Sequence, residues 1–302
     1  MSALTASLDS FLGHLAGEKR YSPHTVSSYR RDLEALCRFL DERGCRDWGS
    51  LNTAQLRRFI ALRHEGGLQG RSLQRQLSAI RSFFRFMRKQ GWVDHDPAAD
   101  VAAPKAPARL PATVEHEQVE RLLAFDAREP LAVRDKAIME LFYSSGLRLA
   151  EIVGLDCEHL DLVDGLVRIE RGKGGKTRVV PVGRAAREAL RAWLGRRADF
   201  LKPGVEPNAL FLSRNGTRLG RRAIQQRLRY WARKQGLDQN IHPHRLRHAF
   251  ASHLLESSGD IRAVQELLGH ANIRTTQVYT HLDFQHLAQV YDQAHPRARK
   301  RS

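Results

Sequence analysis

The sequence predicts a mainly α chain of two domains, with one small β-hairpin or sheet in the second. Three observations carry that expectation. Apolar residues recur at steps of three and four through most of the chain, the period of a half-buried helix. Residues 166–182 switch to short β-branched runs around a centre rich in glycine and lysine. Between the halves, residues 100–113 read DVAAPKAPARLPAT, where prolines 104, 107 and 111 forbid a continuous helix. The expected division is a helical domain over 1–99, an extended linker over 100–113 and a second domain over 114–302.

Taken in order, Leu4, Leu8, Phe11, Leu12 and Leu15 mark the first helical stripe. Ser22-Pro23 is a start signal, a capping hydroxyl before a proline at the first helical position. Val26, Tyr29, Leu33, Leu36 and Leu40 continue that helix, and Gly44 ends it. Asn52 or Thr53 caps a third, with Leu56, Phe59 and Ile60 inward. The fourth is expected to start at Ser72 and bury Leu73, Leu77, Ile80, Phe84 and Met87. In the second half, helical patterns cover 114–125, 134–143 and the stretch from Leu147 to Val153. Leu166–Glu170 and Arg178–Val182 bracket a doubly basic turn as a hairpin. Helices follow over 185–200 and 221–235, then from Pro243, and again behind Asp260 with Ile261, Val264, Leu267 and Leu268 as its apolar face.

Charge narrows the function. The 302 residues carry 50 Lys and Arg against 33 Asp and Glu, a formal net charge of +17. Such an excess predicts a polyanionic partner, because each phosphate neutralised releases condensed counterions. The fourth helix concentrates it: Arg71, Arg75, Arg81 and Arg85 lie in a stretch with no acid between Glu65 and Asp94. A merely solvated helix mixes signs for i,i+4 pairing. No apolar run approaches the roughly 20 residues of a spanning helix, and the N-terminus lacks the order of a signal peptide. Three cysteines without metal spacing fit free thiols in a reducing cytoplasm.

The chemistry concentrates at Ile241 to Leu282. His244 and Arg247 share a helix face just behind Pro243, where first-turn donors suit a phosphate. Gly269 ends the next helix and leaves His270 on its exit. Tyr279 follows nine residues on. Each alone has a plainer reading: a basic helix start, a structural histidine, a core tyrosine with a bonded hydroxyl. A metal enzyme fits poorly, since the sequence has no HExxH and no cysteine pair, and its nearby acids are scattered around a helix.

The order and spacing of the whole set resemble the tyrosine recombinase, or phage integrase, family. The parts are an Arg in a Gly-Leu-Arg turn (Arg148), a Gly-Lys-Gly hairpin (Lys173), His-x-Leu-Arg-His (His244, Arg247), Leu-Leu-Gly-His (His270) and the tyrosine (Tyr279). The resemblance covers both halves of the chain. It implies a C-shaped clamp of a helical core-binding domain and a catalytic domain that cuts and rejoins DNA through a 3′-phosphotyrosine. It also implies that Tyr279 is the nucleophile, Arg148 and Arg247 hold the non-bridging oxygens, His270 is a second phosphate donor and His244 relays the tyrosine's proton. Lys173 resembles the general acid, with Lys176 on the same turn as its rival. No metal, ATP or other cofactor is expected, and no membrane. The partners implied are a double-stranded recombination site, a related sister recombinase in a heterotetramer, and a DNA translocase. The biological task implied is resolving chromosome dimers at cell division, in the cytoplasm. An apolar stripe at Phe284, Leu287, Val290 and Tyr291 either packs on its own domain or, as the resemblance implies, links protomers. A type IB topoisomerase and a non-catalytic DNA-binding protein of the same fold are the rivals.

Overall fold

The computed structural model describes residues 3–19, 21–103, 114–170, 177–203, 208–237, 241–268 and residues 291, 294 and 295. The chain forms two compact units, Met1–Leu110 and Pro111–Ser302.

The first unit holds α1 (Ala3–Gly17), α2 (Pro23–Asp41), α3 (Thr53–Glu65) and α4 (Gly70–Lys89). Local signals set most of these ends. Ser22 caps α2 by accepting from the Thr25 N–H, and Asn52 caps α3 in a reciprocal box with Gln55. The start of α4 differs from expectation. Gln69 is its cap and Ser72 lies inside the first turn, because the Gln69 carbonyl already accepts from the Ser72 and Leu73 amides. The expected apolar stripes are buried except for half-buried Val26 and Tyr29, and they are joined by a cluster in which the Trp48 ring meets Phe83 edge-on at 4.6 Å. That indole also donates to the Leu4 carbonyl at 3.2 Å, so it ties α1 down as well as filling space. This core takes in Ala98 and Val101, so the unit's packed structure runs into the stretch read as linker. The three cysteines are unbridged, and burial pushes the Cys37 thiol up to about 12, which makes it inert.

The second unit holds α5 (His116–Leu123), α6 (Pro130–Ser145), α7 (Leu149–Val153), α8 (Arg184–Arg197), α9 (Arg221–Lys234), α10 (Pro243–Ser258) and α11 (Ile261–Leu268). A three-stranded antiparallel sheet runs in the order β1 (Leu160–Asp161), β2 (Leu166–Ile169), β3 (Arg178–Pro181). The β2–β3 hairpin is the expected one. The two-residue β1 was not foreseen, being too short to show a period.

Helix α6 is the axis of this unit. From Ala132 to Ser145 all but Lys136 are buried, and α5, α8, α9, α10 and β3 pack around it. It starts four residues earlier than its apolar period suggests, at Pro130. Gly146 ends it in the left-handed region at φ 55°, and a Cβ there would sit 2.3 Å from the Phe250 ring. Conformation and space therefore both require glycine at this position.

Two expectations are corrected here. Ile261 is 59 % exposed and Ala263 takes its place on the buried face of α11, because Asp260 caps the helix by accepting from the Ala263 N–H and so sets the rotation. Tyr291, read as part of a stripe reaching a neighbour, lies in this unit's own core at 1 % exposure. Its hydroxyl bonds the Ser144 hydroxyl at 2.7 Å and its ring stacks on His295, so both its polar and apolar surfaces find partners in the same chain. Phe284, Leu287 and Val290 lie outside the described residues.

Candidate active site

The geometry grows from the end of α6. After Gly146 the chain turns through Leu147 to Arg148, the N-cap of α7. Glu151, three residues on, reaches back to it. One carboxylate oxygen accepts from the Arg148 backbone N–H at 2.7 Å, the other from Arg148 Nη1 at 2.9 Å. This acid is bound a second time. Arg178, the first residue of β3, donates through Nη1 and Nη2 to its two oxygens, each at 2.9 Å. The β2–β3 register pairs Arg178 with buried Ile169, and alternation puts it on the inward face with Val180. Burial pushes the Glu151 carboxyl up, but the hydrogen bonds from Arg178 and Arg148 outweigh that and hold it below its usual range.

Arg247 comes from the second turn of α10. It donates through Nη1 to the Gly146 carbonyl and through Nη2 to the Leu268 carbonyl at 2.6 Å. Arg148 Nη2 reaches the same Leu268 carbonyl at 3.4 Å. That oxygen lies in the last turn of α11, where the helix dipole is negative and cations are favoured. Three elements distant in sequence thus meet with two arginines facing one oxygen. Burial first, and then the positive charge of Arg148, push the Arg247 guanidinium down to about 10, with Glu151 opposing and Arg178 adding to the effect. An anion placed here would relieve that crowding.

His244 is exposed in the first turn of α10, one turn before Arg247. Lys173, Lys176, His270 and Tyr279 lie outside the described residues. The two lysines belong to the segment joining β2 to β3, and His270 follows Leu268 by two residues.

The arginines of α4 divide. Arg71 and Arg85 are exposed. Arg75 forks onto buried Asp32 through two bonds of 2.9 Å. Arg81 donates to the carbonyls of Ala98 and Val101, which pins the chain leaving the unit.

Among the described residues, Asp156, Glu158 and His159 gather as a metal would require. Their chemistry is already used: Asp156 pairs with Arg218 at 2.7 Å, and the His159 ring accepts the Asp156 N–H at 3.0 Å. No described helix is long and apolar enough to cross a membrane.

Sequence reasoning missed Glu151 and Arg178. A signal existed for each. Arg148 and Glu151 have capping-box spacing, and Arg178 interrupts the inward positions of an otherwise apolar strand.

The model of the phage integrase family matches residues 112–286. The chain belongs to that family. The phage integrase N-terminal SAM-like domain matches residues 8–91, so the family's two parts correspond to the two units. Two phage integrase relatives, each named tyrosine recombinase XerC, are alike along their whole length. That of Pseudomonas aeruginosa (strain LESB58) is 54 % identical over 99 % of this chain and 97 % of its own. That of Azotobacter vinelandii is 54 % identical over 99 % of this chain and 98 % of its own. Among solved structures, the XerH site-specific recombinase bound to its palindromic difH substrate has a TM-score of 0.68. It is 23 % identical and covers 88 % of this chain and 79 % of its own, a likeness of fold. Membership at this identity makes the chain a DNA strand-transferring, site-specific tyrosine recombinase.

Proposed function

We propose that the chain cuts one DNA strand by attack of the Tyr279 phenol on phosphorus, leaving a 3′-phosphotyrosine and a free 5′-hydroxyl, and then rejoins a new strand by the reverse step. The observation that supports it best is the convergence of Arg148 and Arg247 on one carbonyl. A pair of guanidiniums brought together on a rigid frame suits the non-bridging oxygens of a phosphodiester. His244 takes or relays the tyrosine's proton, His270 is a further phosphate donor, and Lys173 rather than Lys176 protonates the 5′-oxygen. The phosphotyrosine conserves the bond energy, so religation needs no ATP, and these cationic groups do the work of a metal.

The helical unit, expected over 1–99, holds the duplex with Arg71 and Arg85, and with the outer edges of Arg75 and Arg81. The linker, expected over 100–113 and beginning beyond buried Val101, would let it close with the catalytic unit around the DNA. Likeness to the XerC relatives favours a task in chromosome dimer resolution at cell division. There the chain acts in the cytoplasm on a short recombination site, in a heterotetramer with an XerD-like sister and under a DNA translocase. Incubating wild type and Tyr279→Phe with a site-bearing duplex tests the chemistry. Wild type should give a denaturation-resistant protein–DNA adduct and the variant none, with unchanged binding. An adduct formed by the variant would place the nucleophile elsewhere.

A further inference from the structure

We infer that Arg178 is a positioning residue for the phosphate-binding arginine, acting on Arg148 through the carboxylate they share. The inference rests on the function proposed above and deepens it.

Glu151 is nearly buried, with a side chain 8 % exposed, and Arg178 is 10 % exposed. Both are largely removed from water, so the ion pairs between them are weakly screened. Each carboxylate oxygen accepts one bond from Arg148 and one from Arg178. With Arg148 alone, one negative charge would face one positive charge and cancel it. A phosphate would then compete with Glu151 for the same guanidinium. Arg178 changes that balance. Its fork satisfies the acid, so the cluster of Arg148, Arg178 and Glu151 carries a net positive charge, and Glu151 can orient Arg148 without neutralising it. The geometry shows no other anchor for Arg178: its Nε is buried with no partner among the described residues, so the Glu151 fork fixes the guanidinium. Lysine cannot reproduce this, having one point charge and no planar fork.

The test measures single-turnover cleavage by wild type, Arg178→Lys and Arg178→Met on three duplexes. The first carries an ordinary scissile phosphodiester. The second carries a methylphosphonate there, which lacks the negative charge that Arg148 would stabilise. The third carries a 5′-bridging sulfur, whose thiolate leaves without a proton. Single-site binding and thermal midpoint are recorded alongside. Both variants should bind DNA like wild type and cleave the phosphodiester about 10- to 100-fold more slowly, the usual size for an outer-shell partner. The deficit should shrink on the methylphosphonate and persist on the sulfur substrate. Removing the acid supplies a second check: Arg178→Met should cost far less in a Glu151→Gln background than in wild type.

A deficit equal on all three duplexes, or a lysine variant that no longer folds, makes Arg178 merely structural and overturns the inference. Relief by sulfur instead of methylphosphonate overturns it too, since Arg178 would then serve the leaving group's lysine. In each of these cases wild type still cleaves and the proposed chemistry stands. Absence of any adduct in wild type would remove that chemistry, and this inference with it.

Discussion

Asp32 in the helical unit and Glu151 in the catalytic unit are each buried under an arginine fork, and the two forks differ in one respect. In the helical unit Asp32, 6 % exposed, meets Arg75 alone, whose side chain is 48 % exposed. In the catalytic unit Glu151 meets both Arg148 and Arg178. One acid with one base is electrically complete, and such a pair serves packing: Asp32 fixes α4 against α2, helped by the Gln76 amide on the Asp32 carbonyl. One acid with two bases has positive charge to offer. With Arg247 beside it, the catalytic fork suits the phosphate site proposed above, whereas Arg75 in a basic helix is largely committed to its own fold.

The sharpest way to break this contrast is Arg247→Ala. Arg247 completes the proposed phosphate-binding cluster, and removing one donor to a developing oxyanion costs roughly 10²- to 10³-fold in rate. Adduct formation in single turnover should fall by that order with site binding nearly intact; a loss confined to binding would mean that the arginines only dock DNA. Tyr291→Ala probes the same frame from behind. It empties a core site beside Ser144 and should destabilise the catalytic unit by roughly 3–5 kcal/mol, as aromatic-to-alanine changes do. Denaturant melting decides it, and a change near zero would show that Tyr291 belongs to an interface with another chain.

Smaller effects separate the two kinds of arginine on α4. Arg75→Ala should lower the stability of the helical unit by roughly 1–3 kcal/mol, since it strands a buried carboxylate. Arg71→Ala should leave stability within about 0.5 kcal/mol, yet flatten the salt dependence of DNA binding by about 0.9 in log–log slope. Equal melting of the two variants would erase the distinction. The smallest effect is in pH. Burial, with the charge of His116 beside it, holds His253 below its ordinary 6.5, and Glu151 is held below its ordinary 4.5. For both groups the unfolded chain binds protons first, so their contribution is complete above pH 6.5 and is lost as pH falls through the depressed values. Thermal midpoints of the catalytic unit should be level above neutrality and decline in two stages on acidification. A midpoint that rises as pH falls from 6 to 5 would contradict the His253 assignment, and one that stays level below pH 4.5 would contradict that of Glu151.

How much could be read from the chain varied with the range of the interaction. Leu4 to Leu15, the Ser22-Pro23 start and the Asn52 cap were legible because helix period and capping are local. The β2–β3 hairpin was legible because its two β-branched runs flank one turn. The start of α4 was misplaced by a good capping residue, Ser72, that lies within the helix's first turn. Ile261 was misassigned because a period of 3.6 does not say which side of an eight-residue helix faces the core. Tyr291 was read as reaching outward because a stripe on a short helix has no address until its partners, Ser144 and His295, are known.

By itself the sequence determined most of the helices and the β2–β3 hairpin and singled out candidates to hold a phosphate, because periodicity, caps and motif spacing act within a few residues. It also determined the polyanionic partner, since charge is a sum over the chain. Only the tertiary structure decided which arginines are committed and which are poised. Nothing local separates Arg75, between Gln74 and Gln76, from Arg178, between Thr177 and Val179. Their difference lies in acids 43 and 27 positions away. The meeting of Arg148 and Arg247 at the Leu268 carbonyl likewise joins residues separated by 120 and 21 positions. Folding sets such distances, and no local pattern encodes them.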